Sequence, residues 1–367
     1  QSADKQKKIR FPGSEGFQTV LKKRVNDYFA RLNRSPRDSV RMYVKTATII
    51  TWFFTSYAFL VFAPLPIWAG IMISFSLALA TAAVGFNIQH DGNHGAYSGS
   101  RLINNLMALT LDMVGGSSYI WNYKHNAMHH TYSNIHGHDE DLEAGRVIRF
   151  SEHSKWRRFH KFQHYYSVFL YGLLTFNWVI TTDFKQTRRY LKRKLAYGKM
   201  PSPIRQWSTL AITKALYIAI WIILPMIIMN IAWWKILLGF FIMHYTAGLI
   251  LSIVFQLAHV VENTQMPLPD DKGSMKNTWA IHQLFTTVNF STKNRIVNWF
   301  TGGLNHQVEH HIFPNISHIH YSKISKIVKE TAKECNLPYH EYKTTRAAII
   351  AHFKHLKEMG TKPAITV

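Results

Sequence analysis

The sequence contains a single cysteine, Cys335, among its 367 residues. One thiol excludes a disulfide framework within the chain and any metal site built from several cysteines. A metal bound by this protein would therefore need histidine or carboxylate ligands.

Acidic residues are also scarce, with 20 Asp and Glu against 43 Lys and Arg, which gives a formal net charge of +23. The basic residues are concentrated in 5–45, 146–205 and 323–362, whereas the stretches between paired apolar runs carry almost no charge. This distribution follows the positive-inside rule of membrane proteins, and it would also attract acidic lipid headgroups. It favours a membrane protein over one that binds nucleic acid.

Histidine is abundant, and it occurs in three tight groups. These groups are His90-Asp-Gly-Asn-His94, His125-Asn-Ala-Met-His129-His130, and the stretch TGGLNHQVEHHI at 301–312, which holds His306, Gln307, His310 and His311. On an α-helix, side chains four positions apart lie on one face, so each group would direct its imidazoles to a common point. Imidazole clusters of this kind suit iron, copper or zinc.

Four apolar runs are long enough to cross a bilayer as helices. They form two pairs, 43–63 with 67–86 and 210–229 with 233–257, and the short turn within each pair predicts a hairpin. A further run at 165–181 is borderline. If it crossed, the third histidine group would lie on the opposite side of the membrane from the other two, so we predict that it lies along or dips into the membrane.

The resulting fold is an all-α integral membrane protein that forms one domain over 1–367. Four transmembrane helices in two hairpins, about 43–86 and 210–257, would lie under a cytosolic helical cap formed by 90–205 and 259–367. Both termini are predicted to be cytosolic, in a bacterial cytoplasmic membrane or the endoplasmic reticulum.

The metal count follows from the number of imidazoles. His259, just past the fourth apolar run, is placed at the same depth as His90 and is predicted to be a further ligand. So many imidazoles exceed what one zinc ion takes, since zinc usually has four ligands. Two metal ions are predicted, and their neutral nitrogen ligands favour oxygen activation over hydrolysis.

Smaller features carry expectations of their own. The stretch at 16–32 predicts a helix either on the membrane surface or packed on the body of the protein. The acidic stretch at 136–143 favours a solvated loop over a docking role. Amphipathic patterns at 322–335 and 346–359 predict cap helices. His244, within the fourth run, is predicted to bond a neighbouring helix.

The histidine motifs H-D-x-x-H, H-x-x-x-H-H and Q-x-x-H-H, with GGLN before the third and FP after it, resemble the membrane fatty acid desaturases over about 43–326. The form QVEHH, together with TTVNF at 286–290, is similar to the front-end (linoleoyl-CoA or delta-6 type) branch. Members of that branch insert a cis double bond between an existing one and the carboxyl end of the acyl chain.

The resemblance implies a di-iron site beneath the cap, with dioxygen as co-substrate and no catalytic residues beyond the metal ligands. The implied iron ligands are His90, His94, His125, His129, His130, His310 and His311, with His259 as the extra histidine. Gln256 is expected to orient a ligand or a bound water. Most of the superfamily has histidine where this chain has Gln307, and the adjacent His306 also completes an H-x-x-x-H-H pattern, so either side chain remains a candidate ligand.

Substrate and partners follow from the same resemblance. The substrate would be an acyl-CoA or an acyl-lipid, whose chain would lie in a tunnel lined by Trp121, Tyr123, Trp279, Phe285 and Phe290. The haem motif HPGG of fused cytochrome b5 domains does not occur, so we expect electrons from a separate ferredoxin, or from cytochrome b5 with its reductase, and contact with membrane lipids. A lipid hydroxylase on the same scaffold is the nearest alternative, followed by a metal transporter or a b-type haem protein.

Overall fold

The computed structural model describes residues 9–13, 16–142, 146–193 and 202–361. Within these ranges the protein is almost entirely helical. The helices are α1 (Phe17–Arg31), α2 (Val40–Phe62), α3 (Ile67–Ala83), α4 (His90–Asn93), α5 (Arg101–Ala108), α6 (Thr110–Met113), α7 (Ser118–Trp121), α8 (His130–Tyr132), α9 (Gln163–Gly172), α10 (Leu174–Asn177), α11 (Asp183–Arg193), α12 (Pro203–Ile218), α13 (Leu224–Ile228), α14 (Trp233–His259), α15 (Trp279–Thr286), α16 (Arg295–Phe300), α17 (Gln307–Ile312), α18 (Tyr321–Glu334) and α19 (Thr345–Thr361).

Two other kinds of helical turn interrupt this series. Wider π-helical turns occur at Val84–Gln89, Asn122–His129, Trp178–Thr182 and Ala219–Ile223, and short 3-10 helices occur at Arg158–Phe162 and His318–His320. Two short strands, β1 (Asn289–Phe290) and β2 (Glu341–Tyr342), pair in parallel. The π-helical turns matter most for function, since two of them lead into histidine groups.

The four predicted membrane spans are confirmed. The helices long and apolar enough to cross a bilayer are Val40–Phe62, Ile67–Asn93, Pro203–Ile228 and Trp233–His259. The second and third run through a π-helical turn without ending. Two prolines, Pro64 and Pro66, lie in the first hairpin turn, where a missing backbone N–H and a fixed φ favour a break between helices.

The borderline run at 165–181 is not one of these four spans. It is broken after Gly172 into the short helices α9 and α10, which pack against α14. The imidazole of His244, near the middle of α14, donates from Nδ1 to Thr175 Oγ1 at 2.9 Å and accepts from the hydroxyl of Tyr217 on α12. The prediction that His244 bonds neighbouring elements is confirmed, and the broken segment reaches about halfway along the fourth span.

Two glycines allow this segment to approach α14 closely. A Cβ added at Gly248 would lie 2.6 Å from the carbonyl oxygen of Gly172, and one added at Gly172 would lie 2.4 Å from the ring of Tyr245. Both distances are shorter than real Cβ atoms show, so the backbone of Gly248 lies directly against that of Gly172, and Gly172 lies directly against the ring of Tyr245.

We expect Gly248→Ala to push the broken segment away from α14 and to destabilise the protein by about 1–3 kcal/mol, the usual range for overpacking. Thermal unfolding in detergent measures the change. Gly70→Ala on α3 is the matched control, because an added Cβ there meets nothing within 4 Å. Equal melting temperatures for the two variants would contradict the close approach.

Helices outside the spans also pack on one another. α1 buries Phe17, Leu21, Val25 and Phe29 in an apolar cluster shared with α15 and α18, so the alternative of a helix packed on the body is the one observed. Helices α18 and α19 confirm the cap helices predicted at 322–335 and 346–359.

Candidate metal centre

The histidine groups come together beneath the cap because four elements end at the same place. α4 extends the second span and carries the first group, and the π-helical turn Asn122–His129 with α8 carries the second. His259 is the last residue of α14, and α17 carries the third group. The eight imidazoles are all buried, and they belong to His90, His94, His125, His129, His130, His259, His310 and His311.

Their ligand atoms form two clusters with a bridge between them. The first cluster is His90, His94, His125 and His310, and the second is His129, His259 and His311, with the atoms of each cluster within 4.8 Å of one another. His130 joins them, since it forms a third such group with His310 and His311. Two metal ions would each find several imidazole ligands in this arrangement.

The second histidine group lies on a π-helix and not on the α-helix that its spacing predicts. A π-helical turn bonds residue i to i+5, so it places side chains five positions apart above one another. The Nε2 atoms of His125 and His130 are accordingly 3.3 Å apart. Such wide turns are frequent at functional sites, because they redirect side chains that a regular helix would spread apart.

The outer nitrogens of several imidazoles are held by hydrogen bonds. Nδ1 of His129 donates to Asp139 Oδ2 at 2.9 Å, and Nδ1 of His125 donates to Asp141 Oδ2 at 2.8 Å. In the third group, Nδ1 of His311 donates to Gln283 Oε1 at 2.8 Å. Partners of this kind fix the ring orientation and the tautomer of a metal-binding histidine, and they leave Nε2 free to bind.

The prediction of a solvated loop at 136–143 holds for the exposed residues His136 and Gly137 and is wrong for the acidic residues 139–141. Asp139 and Glu140 are buried, and Asp139 and Asp141 contact the second histidine group directly. Glu143 lies outside the described residues. Acidic residues are scarce in this chain, and these follow directly after a histidine group. That position was the sequence signal for a role in supporting the histidines.

A similar support holds the first group. The carboxylate of Asp91, between the two histidines of that group, accepts from Nδ1 of His318 at 2.9 Å and from the hydroxyl of Ser317 at 2.9 Å. Nε2 of His318 in turn lies 2.9 Å from Nζ of Lys45 on α2. This buried chain ties the first group to α2 and to the segment that follows the third group. Sequence reasoning missed all of it.

The chemistry of the clustered imidazoles suits metal binding. Burial, and then repulsion from neighbouring imidazoles, holds the pKa of His130, His310 and His311 well below the ordinary value, which keeps them neutral. Within the described residues, the inner Nε2 atoms of His129 and His311 are buried and have no hydrogen-bond partner. Unsatisfied buried nitrogens are costly, and a coordinated metal ion would satisfy them.

The sequence is similar to those of known proteins. Residues 65–343 match the fatty acid desaturase family. The chain is 40% identical over 359 residues to the sn-1 linoleoyl-lipid 6-desaturase of Arthrospira platensis, covering 97% of this chain and 96% of that protein. The chain belongs to the fatty acid desaturase family.

Two further relatives agree. The chain is 38% identical to the sn-1 linoleoyl-lipid 6-desaturase of Synechocystis, covering 96% of this chain and 98% of that protein. It is 32% identical to the acyl-lipid (8-3)-desaturase of Physcomitrium patens, covering 95% of this chain and 72% of that protein. This desaturase is thus an oxidoreductase of fatty acyl chains, and the alternatives of a metal transporter and a haem protein are set aside.

A narrow cavity of about 150 Å³ runs from the first cluster of the desaturase into the region between the spans. His90, His125 and Gln307 line its upper end. The remainder is lined mainly by apolar and hydroxyl side chains, among them Thr81 of α3, Leu174 and Thr175 of α10, and Leu251 and Phe255 of α14. Charged side chains also line it, those of Lys124, Asp141 and Asp183. The broken segment at 165–181 therefore forms one wall.

Of the five aromatic residues predicted to line a substrate tunnel, Trp121 alone lines this cavity, and its ring stacks on His125 with centroids 4.2 Å apart. The other four lie elsewhere among the described residues. Tyr123 packs on a tyrosine of α11, and Trp279 donates its indole N–H to a backbone carbonyl of α8. Phe290 belongs to a separate apolar cluster, and Phe285 does not line the cavity. The position of these aromatic residues near the histidine groups in the sequence did not indicate whether their side chains face the cavity.

The structure separates the two candidates in the third group. The side-chain amide of Gln307 lies 2.8 Å from Nε2 of His259, at the edge of the second cluster. His306 precedes α17, and its Nδ1 lies 3.7 Å from Glu309 Oε2, outside the clusters formed by the described residues. Gln256 lines the cavity, and its buried Oε1 has no hydrogen-bond partner within the described residues.

We expect Gln307→Ala to lower the metal content of the desaturase and His306→Ala to leave it unchanged. The reason is that only Gln307 contacts a clustered imidazole, and supports of this kind change metal affinity by about 10–100-fold. Metal per folded chain, measured by mass spectrometry after gel filtration, gives the comparison. Loss of metal from His306→Ala alone would place the ligand at His306 instead.

Four histidines outside the clusters have a ring nitrogen within hydrogen-bond distance of a backbone carbonyl. Nδ1 of His352 contacts the carbonyl of Val260, and His355 contacts that of Phe150. Nε2 of His153 lies 2.9 Å from the carbonyl of Met266, and Nε2 of His160 lies 3.1 Å from that of Arg146. His164 and His340 also lie outside the clusters of the described residues.

Proposed function

We propose that this desaturase acts on an unsaturated acyl chain carried by a membrane lipid and inserts a cis double bond six carbons from the carboxyl end. Three observations support the proposal: the form of the third histidine group, the names of the Arthrospira and Synechocystis relatives as linoleoyl-lipid 6-desaturases, and a cavity that opens between membrane spans. The single observation on which the proposed reaction depends most is the clustering of eight buried imidazoles.

The eight clustered histidines would hold two iron ions, with Gln307 at the edge of the second cluster. When bound, the irons supply the activation of dioxygen and the one-electron chemistry needed to break C–H bonds on adjacent methylenes, while dioxygen is reduced to water. Histidine ligation without thiolates suits non-haem iron.

The chain's own residues would do the remaining work. The cavity walls would hold the acyl chain against the first cluster and exclude water, which prevents side reactions and orients one carbon pair. Asp139, Asp141 and Gln283 would keep the imidazoles in the tautomer that binds metal, because each accepts a hydrogen bond from an outer ring nitrogen.

Electrons would come from a reduced carrier, a ferredoxin or cytochrome b5 with its reductase. The excess of basic residues outside the spans supports this partner, because an acidic carrier would be steered towards it. The same charge supports a cytosolic location for the cap and both termini.

The cavity can be tested as the acyl site. In Leu174→Trp, the larger side chain would extend from α10 into the cavity. We therefore expect the desaturation rate to fall at least tenfold with unchanged metal content, which corresponds to an activation barrier higher by about 1.4 kcal/mol or more. Ile180→Trp is the matched control, since Ile180 lies in the same segment but is exposed and does not line the cavity. Full activity in Leu174→Trp would place the acyl chain elsewhere.

The decisive experiment is expression in a host that lacks polyunsaturated desaturases and is supplied with linoleate. We expect a new double bond at the sixth carbon of linoleoyl chains, found in membrane lipids before it appears in acyl-CoA, and absent when the His310→Ala variant is expressed. Mass spectrometry with double-bond mapping gives the position. A hydroxylated product would favour the hydroxylase, and a product that appears first in acyl-CoA would contradict the lipid carrier.

A further inference from the structure

A basic pocket of about 500 Å³ lies on the cap, apart from the metal centre and the cavity described above. Four cationic side chains line it, and they belong to Arg146, Arg149, Lys155 and Arg157. None of its lining residues is acidic. Within the described chain, no carboxylate lies within salt-bridge distance of Arg146, Lys155 or Arg157, which leaves their charges for a ligand.

The loop around this pocket is held in place by buried polar groups. His160 is buried, its Nε2 donates to the carbonyl of Arg146 at 3.1 Å, and its Nδ1 accepts from the backbone N–H of Arg157 at 3.0 Å. The guanidinium of Arg149 is buried and donates to the carbonyls of Ser154 and Glu152, each at 2.8 Å. The pocket is therefore a fixed part of the fold, and its cations are presented on an ordered backbone.

An exposed aromatic stripe begins beside the pocket. Phe159, Phe162, Tyr165 and Phe169 follow one another at helical spacing along the 3-10 helix and α9, so they lie on one side of these helices. They are among the exposed large apolar residues, with Phe162 62% and Tyr165 72% exposed. Exposed aromatic residues next to basic ones are typical of the boundary between a bilayer and water.

The direction of the stripe matches that of a lipid. It runs from the pocket towards Gly172, which contacts Gly248 near the middle of the fourth span. A molecule with its charged end in the pocket would therefore have its apolar part directed along α9 into the bilayer.

We propose that this pocket binds the anionic headgroup of a membrane glycerolipid, a phosphate or sulfonate group, and that the aromatic stripe contacts its acyl tails. The arrangement is that of basic pockets beside membrane helices that bind acidic headgroups. It rests neither on the bound metal nor on the identity of the substrate. Such a lipid would anchor α9, the helix that directly precedes α10 and its cavity-lining side chains.

The test uses the full-length, metal-loaded protein in detergent. Dioctanoyl phosphatidylglycerol is expected to raise the melting temperature in a saturable way, because a ligand that binds the folded state stabilises it, whereas dioctanoyl phosphatidylcholine is not. The double variant K155Q/R157Q is expected to need about tenfold or more of the anionic lipid for the same shift, since each cation near a lipid surface contributes about 1 kcal/mol. Both side chains avoid the buried bonds of Arg149 and His160.

The control variant R158Q/K161Q removes two neighbouring charges that do not line the pocket, and it should bind the anionic lipid like the parent protein. F162S/F169S should lower the affinity for the lipid without changing any response to inorganic phosphate. Equal lipid affinity in K155Q/R157Q and the parent protein would overturn the proposal. If inorganic phosphate raised the melting temperature as well as the lipid does, the pocket would be assigned to a soluble anion. If K155Q/R157Q showed slower electron delivery with unchanged lipid affinity, the pocket would be assigned to an acidic protein carrier. Either outcome overturns the lipid.

Discussion

Replacing His311 with alanine is expected to leave a folded protein that forms no detectable unsaturated product and binds less iron per chain. His311 belongs both to the second cluster and to the group around His130, so its loss removes a ligand from the two parts of the centre that share it. The proposed irons, and not amino-acid side chains, would supply oxygen activation, so activity should fall with the metal and not by a partial factor.

His340→Ala is the control, because His340 lies outside the clusters of the described residues and is only partly buried. Iron per chain and product per unit of expressed protein are measured on both variants, with melting temperature to verify the fold. Unchanged iron in His311→Ala together with lost activity would mean that His311 acts on the substrate and not on the metal.

Asp139→Asn is expected to weaken metal binding by about 10–100-fold, the range found when a carboxylate behind a metal-binding histidine is removed. The carboxylate accepts from Nδ1 of His129 and also from the backbone N–H of Asn134, so an amide in its place could present its donor group to the ring. That change favours the wrong tautomer of the imidazole. Iron retained after dialysis against a chelator series gives the affinity.

The neighbouring residue provides a matched control. Glu140 is also buried, but its carboxylate accepts from the hydroxyl of Tyr190 and pairs with Arg189 at 3.1 Å, and it bonds none of the clustered imidazoles. Glu140→Gln should therefore lower the melting temperature without changing iron affinity. Equal loss of iron in the two variants would indicate that the loop as a whole, and not the bond to His129, supports the centre.

The spans and the meeting of the three histidine groups could be predicted from the sequence because both depend on short-range patterns. Two long apolar runs separated by only three residues leave little choice but a hairpin. The position of 165–181 followed from the requirement that His310 and His311 reach His125, which is a constraint on topology and not on packing.

The supports of the centre could not be predicted, because they depend on contacts between residues far apart in the chain. His318 lies 227 positions from Asp91, and Lys45 lies 273 positions from His318. Nothing in the local sequence indicates these pairs. Which aromatic side chains face the cavity could not be predicted for a related reason, because this depends on the rotation of each helix about its axis, and a π-helical turn changes that rotation within its own helix.

The π-helical turn at Asn122–His129 has a consequence for engineering. Helices of this kind are rare, and regular α-helices are the more favourable arrangement for most sequences. One route to a more thermostable enzyme would be to delete one residue here or to choose substitutions that favour a regular α-helix. Either change would rotate His129 and His130 away from their partners. In this segment, greater thermal robustness and catalysis are competing goals.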